Sequence, residues 1–159
     1  MKITILTVGK IKEKYFTMAI AEYTKRLSRY CKMEMIEVLD EKTPDNLSGH
    51  AAEQVKVKEG EKLLKYIRDD AHVVALAIDG KTLDSLELAG MIGSLGIRGI
   101  SHIVFVIGGS LGLSPKILER ADFKLSFSKM TFPHQLMRVI LLEQVYRSYR
   151  ILNNEPYHK

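Results

Sequence analysis

Apolar and polar positions along this chain fall into short runs whose spacing changes from one run to the next. Ile3 to Val8 is a near-continuous apolar run that stops at Gly9, the pattern of a strand covered on both faces. From about Ile11 the spacing lengthens. Tyr15, Ala19, Tyr23 and Leu27 recur every fourth residue and predict a helix, whose other face carries Lys12, Lys14, Lys25, Arg26 and Arg29. Met33 to Leu39 partly alternates apolar and acidic residues, as a strand nearer a sheet edge does. Glu41 to Gly49 is polar and holds Pro44, Asp45 and Asn46, so it is expected to be a mobile loop before a charged helix from about Ala51 to Tyr66. Val73 to Ile78 predicts a third strand, buried on both faces and ended by the turn signal Asp79-Gly80. Leu83 to Leu95 is a helix weakened by Gly90 and Gly93.

The last third is the most structured in pattern. Ile103 to Ile107 is a fourth apolar strand that breaks into Gly108-Gly109-Ser110-Leu111-Gly112. Ser114-Pro115 follows as a helix start, since serine accepts free N–H groups and proline fits the first helical position. Phe123 to Phe127 predicts a fifth strand and Ser128 to Phe132 a compact loop. Pro133 then launches a helix to about Leu152 with Leu136, Ile140, Val145 and Tyr149 at helical spacing. The tail cannot extend that helix past Pro156. Alternating strand and helix throughout predicts an α/β fold with a largely parallel sheet. Two strand ends followed closely by two helix starts predict a ligand site in the late loops, beyond the carboxyl ends of the strands.

Composition changes this picture little. At 159 residues the chain is expected to be one domain, 1–159, large enough for a real core. The start MKITILTVGK has too short an apolar run for a signal peptide, and no segment reaches the span of a bilayer; the expectation is a cytoplasmic protein with no membrane partner. The single cysteine, Cys31, excludes an internal disulfide and predicts a small, buried or half-buried residue. Charge matters more through its distribution than through the net +5. Residues 1–32 carry eight Lys/Arg against two acids, residues 33–100 eight against thirteen, and residues 101–159 eight against four. If the two ends meet, they form a basic face suited to a phosphate backbone. Charge alone favours the plainer reading of solvated helix faces.

Three kinds of chemistry can be weighed from motifs. Gly108 to Gly112 is a literal G-x-S-x-G between strand and helix, and Asp122 and His134 follow Ser110 in the order of a hydrolase triad. Against it stand the small sheet, the missing oxyanion segment and the short spacing from Asp122 to His134. A dinucleotide fingerprint would need glycine where Ser110 and Leu113 stand. The five histidines show no metal-ligand spacing, so no metal is expected.

A resemblance goes further. Val106-Ile107-Gly108-Gly109-Ser110, then Ser126-Phe127-Ser128-Lys129-Met130-Thr131-Phe132-Pro133-His134-Gln135, then Tyr157-His158-Lys159 closely resemble the small ribosomal RNA methyltransferases of the SPOUT superfamily. Those enzymes methylate N3 of a pseudouridine in large-subunit ribosomal RNA. The likeness covers the whole chain, from the Met-Lys-Ile start through the Thr-Val-Gly-Lys turn to the tail. It implies a single-domain α/β knot: a largely parallel five- to six-stranded sheet with helices on both faces and a C-terminal trefoil knot, a rare exception to unknotted chains.

The resemblance also implies a homodimer that binds S-adenosylmethionine and acts on ribosomal RNA in the assembled 70S ribosome, with one subunit's loops facing its partner's tail. Leu76, Gly108, Phe127, Ser128, Lys129, Met130, Thr131 and Phe132 would contact the cofactor. Tyr157, His158 and Lys159 would form the catalytic, substrate-facing end, with His158 accepting the N3 proton directly or through water. Lysine at the last position, where relatives can carry arginine, keeps the charge without the planar fork. Arg138, Arg147, Arg150 and the basic face of the first helix are candidates for contacts to the RNA backbone. The alternatives are a ribosome-binding protein without turnover and a small serine hydrolase using Ser110.

Overall fold

A computed structural model describes residues 1–43 and 45–159; Pro44, inside the polar stretch expected to be a loop, lies outside the described residues. Five strands, β1 (Lys2–Val8), β2 (Lys32–Val38), β3 (His72–Thr82), β4 (His102–Ile107) and β5 (Phe123–Ser126), alternate with five helices. The helices are α1 (Lys14–Leu27), α2 (Gly49–Leu64), α3 (Ser85–Ile97), α4 (Pro115–Arg120) and α5 (His134–Leu152). All strand pairs are parallel, in the order β2-β1-β4-β3-β5.

Burial on both faces explains why β1, β4 and the first half of β3 are nearly all apolar. In β4, Ile103 and Phe105 face the layer of α1, α3 and α5, where they pack with Leu27, Leu88, Ile92, Leu141 and Val145. Val104 and Val106 face the other layer, with Leu63 of α2 and Ile117 of α4. Moves toward the β2 edge cross over the first face and moves toward the β5 edge over the second, as one crossover handedness requires. Among the described residues no helix is long and apolar enough to cross a membrane.

Three expectations need correcting. First, β3 does not stop at Asp79-Gly80 but runs to Thr82, with its pairing to β5 shifted between Leu76 and Lys81. A Cβ at Gly80 would meet the Lys124 carbonyl oxygen at 2.7 Å. The glycine therefore permits a close approach of two backbones rather than reversing the chain. Second, the stripe through Tyr15 misplaces the buried face of α1. Ile20, Tyr23 and Leu27 pack inward, while Tyr15 is 65 % exposed. Third, of the expected α5 line Val145 and Tyr149 are buried, but Met137 and Leu141 take the core positions expected of Leu136 and Ile140, which are only half-buried. Helix α3 is firmer than its glycines suggest, because Asp84 and Glu87 close a capping box.

Candidate active site

The expected cluster of late loops exists, and glycine builds it. After β4 the chain turns back at once, with the Gly112 N–H donating to the Gly109 carbonyl at 3.1 Å. A Cβ on Gly108 would lie 2.7 Å from the carbonyl carbon of Gly112, so only glycine fits there. Gly112 itself has φ +88°, in the left-handed region. Ser114 caps α4 by accepting the Ile117 N–H at 3.4 Å, as its sequence position predicts. Beyond β5, the Ser126 hydroxyl lies 2.8 Å from the Ile78 carbonyl and 3.1 Å from that of Ser128, while the Met130 N–H donates to the Ser128 hydroxyl at 3.0 Å. These contacts tie the β5 loop to the end of β3. Pro133 then opens α5 with no side-chain cap, leaving first-turn N–H groups free.

Together these ends enclose about 610 Å³ of free space, part of it open to solvent. Leu76, Ala77 and Ile78 of β3 form one wall, Ile107 of β4 with Gly108 and Gly109 just after it a second, and Phe127, Ser128, Met130, Thr131 and Phe132 a third. Seven of the eight residues expected to contact a cofactor line this pocket; Lys129 is exposed and does not. The sequence reading missed Ile107, Leu125, Gly112, His134 and Met137, although the apolar strand ends and the first turn of α5 carried the signal for them. His134 is held below the usual imidazole range by burial and by the nearby Arg138 guanidinium, so its ring is neutral at pH 7.

A serine hydrolase does not fit. The Asp122 carboxylate accepts the Val73 N–H at 2.8 Å and pairs with Arg120 at the start of β5. Ser110 and His134 line a hollow at the opposite end of the strands. The four residues of β5 separate them by roughly 13 Å of strand rise. No triad can form across that sheet.

The arginines of α5 divide. Arg138, expected to reach an RNA backbone, has a fully buried side chain. It pairs with Glu37 at 2.6 Å and donates to the Val8 and Gly9 carbonyls at 3.0 and 2.8 Å. It has no exposed atom to offer RNA. Arg147 instead holds the tail. It is bound to Glu143 at 2.5 Å, lies over the Tyr157 ring at 4.6 Å and reaches His158 Nδ1 at 3.3 Å. The Tyr157 hydroxyl donates to Glu143 at 3.1 Å, and burial with that carboxylate pushes its pKa up to about 12. Arg150 donates to the Tyr30 hydroxyl at 3.0 Å and the Pro156 carbonyl at 2.9 Å, and pairs with Glu155. His158 and Lys159 remain exposed. Within one chain the tail therefore rests on the middle of α5. From His134 to Arg147 is about 20 Å along the helix axis, so one chain does not bring its own tail to its own pocket.

The family model described as a predicted SPOUT methyltransferase matches residues 1–158. The chain belongs to the SPOUT methyltransferase family. Membership brings with it the C-terminal trefoil knot that the resemblance implied. Proteins named ribosomal RNA large subunit methyltransferase H are similar along the full length of both chains: 65 % identical in Bifidobacterium adolescentis, and 60 % in Clostridium tetani and in Clostridioides difficile.

SPOUT methyltransferases take their methyl group from S-adenosylmethionine, and the pocket suits that molecule. Apolar strand ends offer flat walls to an adenine, and Gly108 lets a ligand approach the backbone where a Cβ would collide. The free N–H groups and positive end of α5 suit a carboxylate.

Proposed function

We propose that this chain methylates N3 of a pseudouridine in large-subunit ribosomal RNA, using S-adenosylmethionine, and that it acts in the cytoplasm as a homodimer on the assembled 70S ribosome. Residues 1–159 act as one methyltransferase domain. The observation that carries the reading is the pocket at the ends of β3, β4 and β5, in a chain whose full-length relatives are named for ribosomal RNA methylation.

When bound, S-adenosylmethionine supplies a methyl group on a positively charged sulfur, chemistry that needs no metal. Leu76, Gly108, Phe127, Ser128, Met130, Thr131 and Phe132 would hold the cofactor. Fixing both reactants in line lowers the barrier through orientation alone.

The N3–H of the base is flanked by two carbonyls, so losing its proton spreads charge over both oxygens. Tyr157, His158 and Lys159 of the partner subunit's tail face that charge and stabilise it. The 20 Å gap along α5 within one chain supports a site completed by a second copy. In the tail as it rests here, Arg147 donates to Nδ1 of His158, which leaves the ring's own proton on Nε2 as a donor toward a base carbonyl. His158 takes up the N3 proton only when that contact is broken.

Lys14 and Lys25 on α1, with Lys12 just before it and Arg29 just after it, are exposed and contact RNA phosphates. Arg147 and Arg150 serve RNA mainly by shaping the tail, since their donors are already engaged.

The test is methyl transfer from labelled S-adenosylmethionine to purified ribosomes lacking the modification, with free ribosomal RNA alongside. Label in large-subunit RNA, greater on ribosomes than on free RNA, is the expected result. Intact S-adenosylmethionine binding with no label on either would overturn the assigned substrate.

A further inference from the structure

One buried carboxyl beside the pocket has fewer partners than its burial calls for. Glu59, on α2, is 4 % exposed. Its two carboxyl oxygens lie 3.1 and 3.4 Å from where a side chain on Gly109 would begin, so the carboxyl is aimed at the bare end of β4. Buried polar groups are nearly always hydrogen-bonded. Among the described residues no side chain donates to Glu59, and the backbone N–H of Glu41 is the donor that favours its charge. A carboxylate has about four acceptor positions, so most of this one's capacity is unused. The nearest cation, Lys62, is taken: it pairs with Glu41 at 2.7 Å and donates to the Leu39 carbonyl at 3.0 Å.

Glu59 lines a hollow with Gly9, Asp40, Ser110 and His134, holding about 290 Å³ of free space that includes open solvent. Gly109 and His134 line both this hollow and the cofactor pocket. A group that reaches from the cofactor pocket past Gly109 and His134 into this hollow meets the Glu59 carboxyl. Burial and the neighbouring Asp40 and Glu41 charges raise the pKa of Glu59, the mark of a carboxyl placed where its charge is not yet satisfied.

Resting on the function proposed above, we infer that Glu59 accepts a ring N–H from the base being methylated and thereby distinguishes pseudouridine from uridine. Pseudouridine is joined to its ribose through carbon, which leaves N1–H free. Uridine presents a C–H at that position. The carboxyl meets a donor in the first case and is left unpaired against an apolar edge in the second. A buried polar group left unpaired is an effective means of rejection.

The experiment compares methyl transfer to two ribosome preparations, one carrying pseudouridine at the target and one carrying uridine there. Wild type, Glu59→Leu and Glu59→Gln are compared, with S-adenosylmethionine affinity and thermal midpoint measured on each. Glu59→Leu is expected to lower the preference for pseudouridine at least 10-fold by losing rate on that substrate, with cofactor affinity unchanged. Glu59→Gln keeps a neutral acceptor, and a charge-assisted bond is roughly twice as strong as a neutral one, so its preference should fall several-fold. Undiminished preference in a folded Glu59→Leu overturns the inference. If that variant does not fold, undiminished preference in Glu59→Gln does the same. A wild-type protein that labels neither ribosome overturns the proposed function and takes this inference with it.

Discussion

Arg138 and Arg147 stand nine residues apart on one helix and do opposite work. Nine residues are two and a half turns, so the two side chains leave α5 from opposite faces. Arg138 is drawn under the sheet, where it ties α5 to Glu37 and to the backbone at the end of β1. Arg147 stays at the surface and gathers Glu143, Tyr157 and His158 around itself. The same residue type ties one end of α5 to the edge of the sheet and holds the C-terminal tail at the other. Local charge did not separate them; the phase of the helix did.

That contrast can be broken by substitution. The largest effect is expected at the buried end. Arg138→Ala leaves the Val8 and Gly9 carbonyls without this donor and Glu37 with only the Ile11 N–H, a loss expected to cost about 3 kcal/mol, to be read from chemical denaturation. A loss under 1 kcal/mol would show the guanidinium to be dispensable.

Next comes the tail. Deleting residues 157–159 should lower turnover on ribosomes by about 100-fold, near 2.7 kcal/mol of barrier, with cofactor affinity and unfolding unchanged. Unaltered turnover would remove the tail from the site.

Arg147→Ala sharpens the comparison further. Its pair with Glu143 is partly exposed and worth no more than about 1 kcal/mol, so stability should barely move while turnover drops roughly 10-fold. If only the unfolding midpoint shifts, the two arginines are alike after all.

The smallest effect is one of pH. Burial holds His72, His102 and His134 below the ordinary imidazole range. The unfolded chain then binds protons more readily than the folded one. Stability is present in full above about pH 6.5 and falls as the pH drops below it. His134→Gln should reduce that acid sensitivity, measured as the unfolding midpoint at pH 7 against pH 5.5.

Much of the fold was visible in the pattern. Apolar runs marked β1, β3 and β4 because a parallel sheet hides both faces of its inner strands, partial alternation marked β2 at the edge, and the helix starts at Ser114-Pro115 and Pro133 lie at the expected boundaries. What escaped were features set by packing across the chain. Asp79-Gly80 has the composition of a turn, yet β5 approaches closely enough to need glycine in mid-strand. Tyr15 has the right spacing for a core position but lies on the wrong side of a helix that begins only at Lys14. Within the pocket, the loop 127–132 was legible from resemblance. His134 and Met137 came from the turn beyond it, and Glu59 from a helix that looked like plain charged surface.

The strand order carries a further consequence, for synthesis. β4, buried along its whole length at the centre of the sheet, is the fourth strand to be made, and Lys2 finds its partner His102 a hundred residues later. Until then β1 and β2 form half a sheet with an open, apolar edge. At about 5–20 residues per second that edge stays uncovered for seconds while the chain leaves the ribosome. Folding must then close long loops before the core rewards it, which makes it slow. A mutation that weakens β4 should first show itself as poor recovery of newly made protein, before any loss in the finished one.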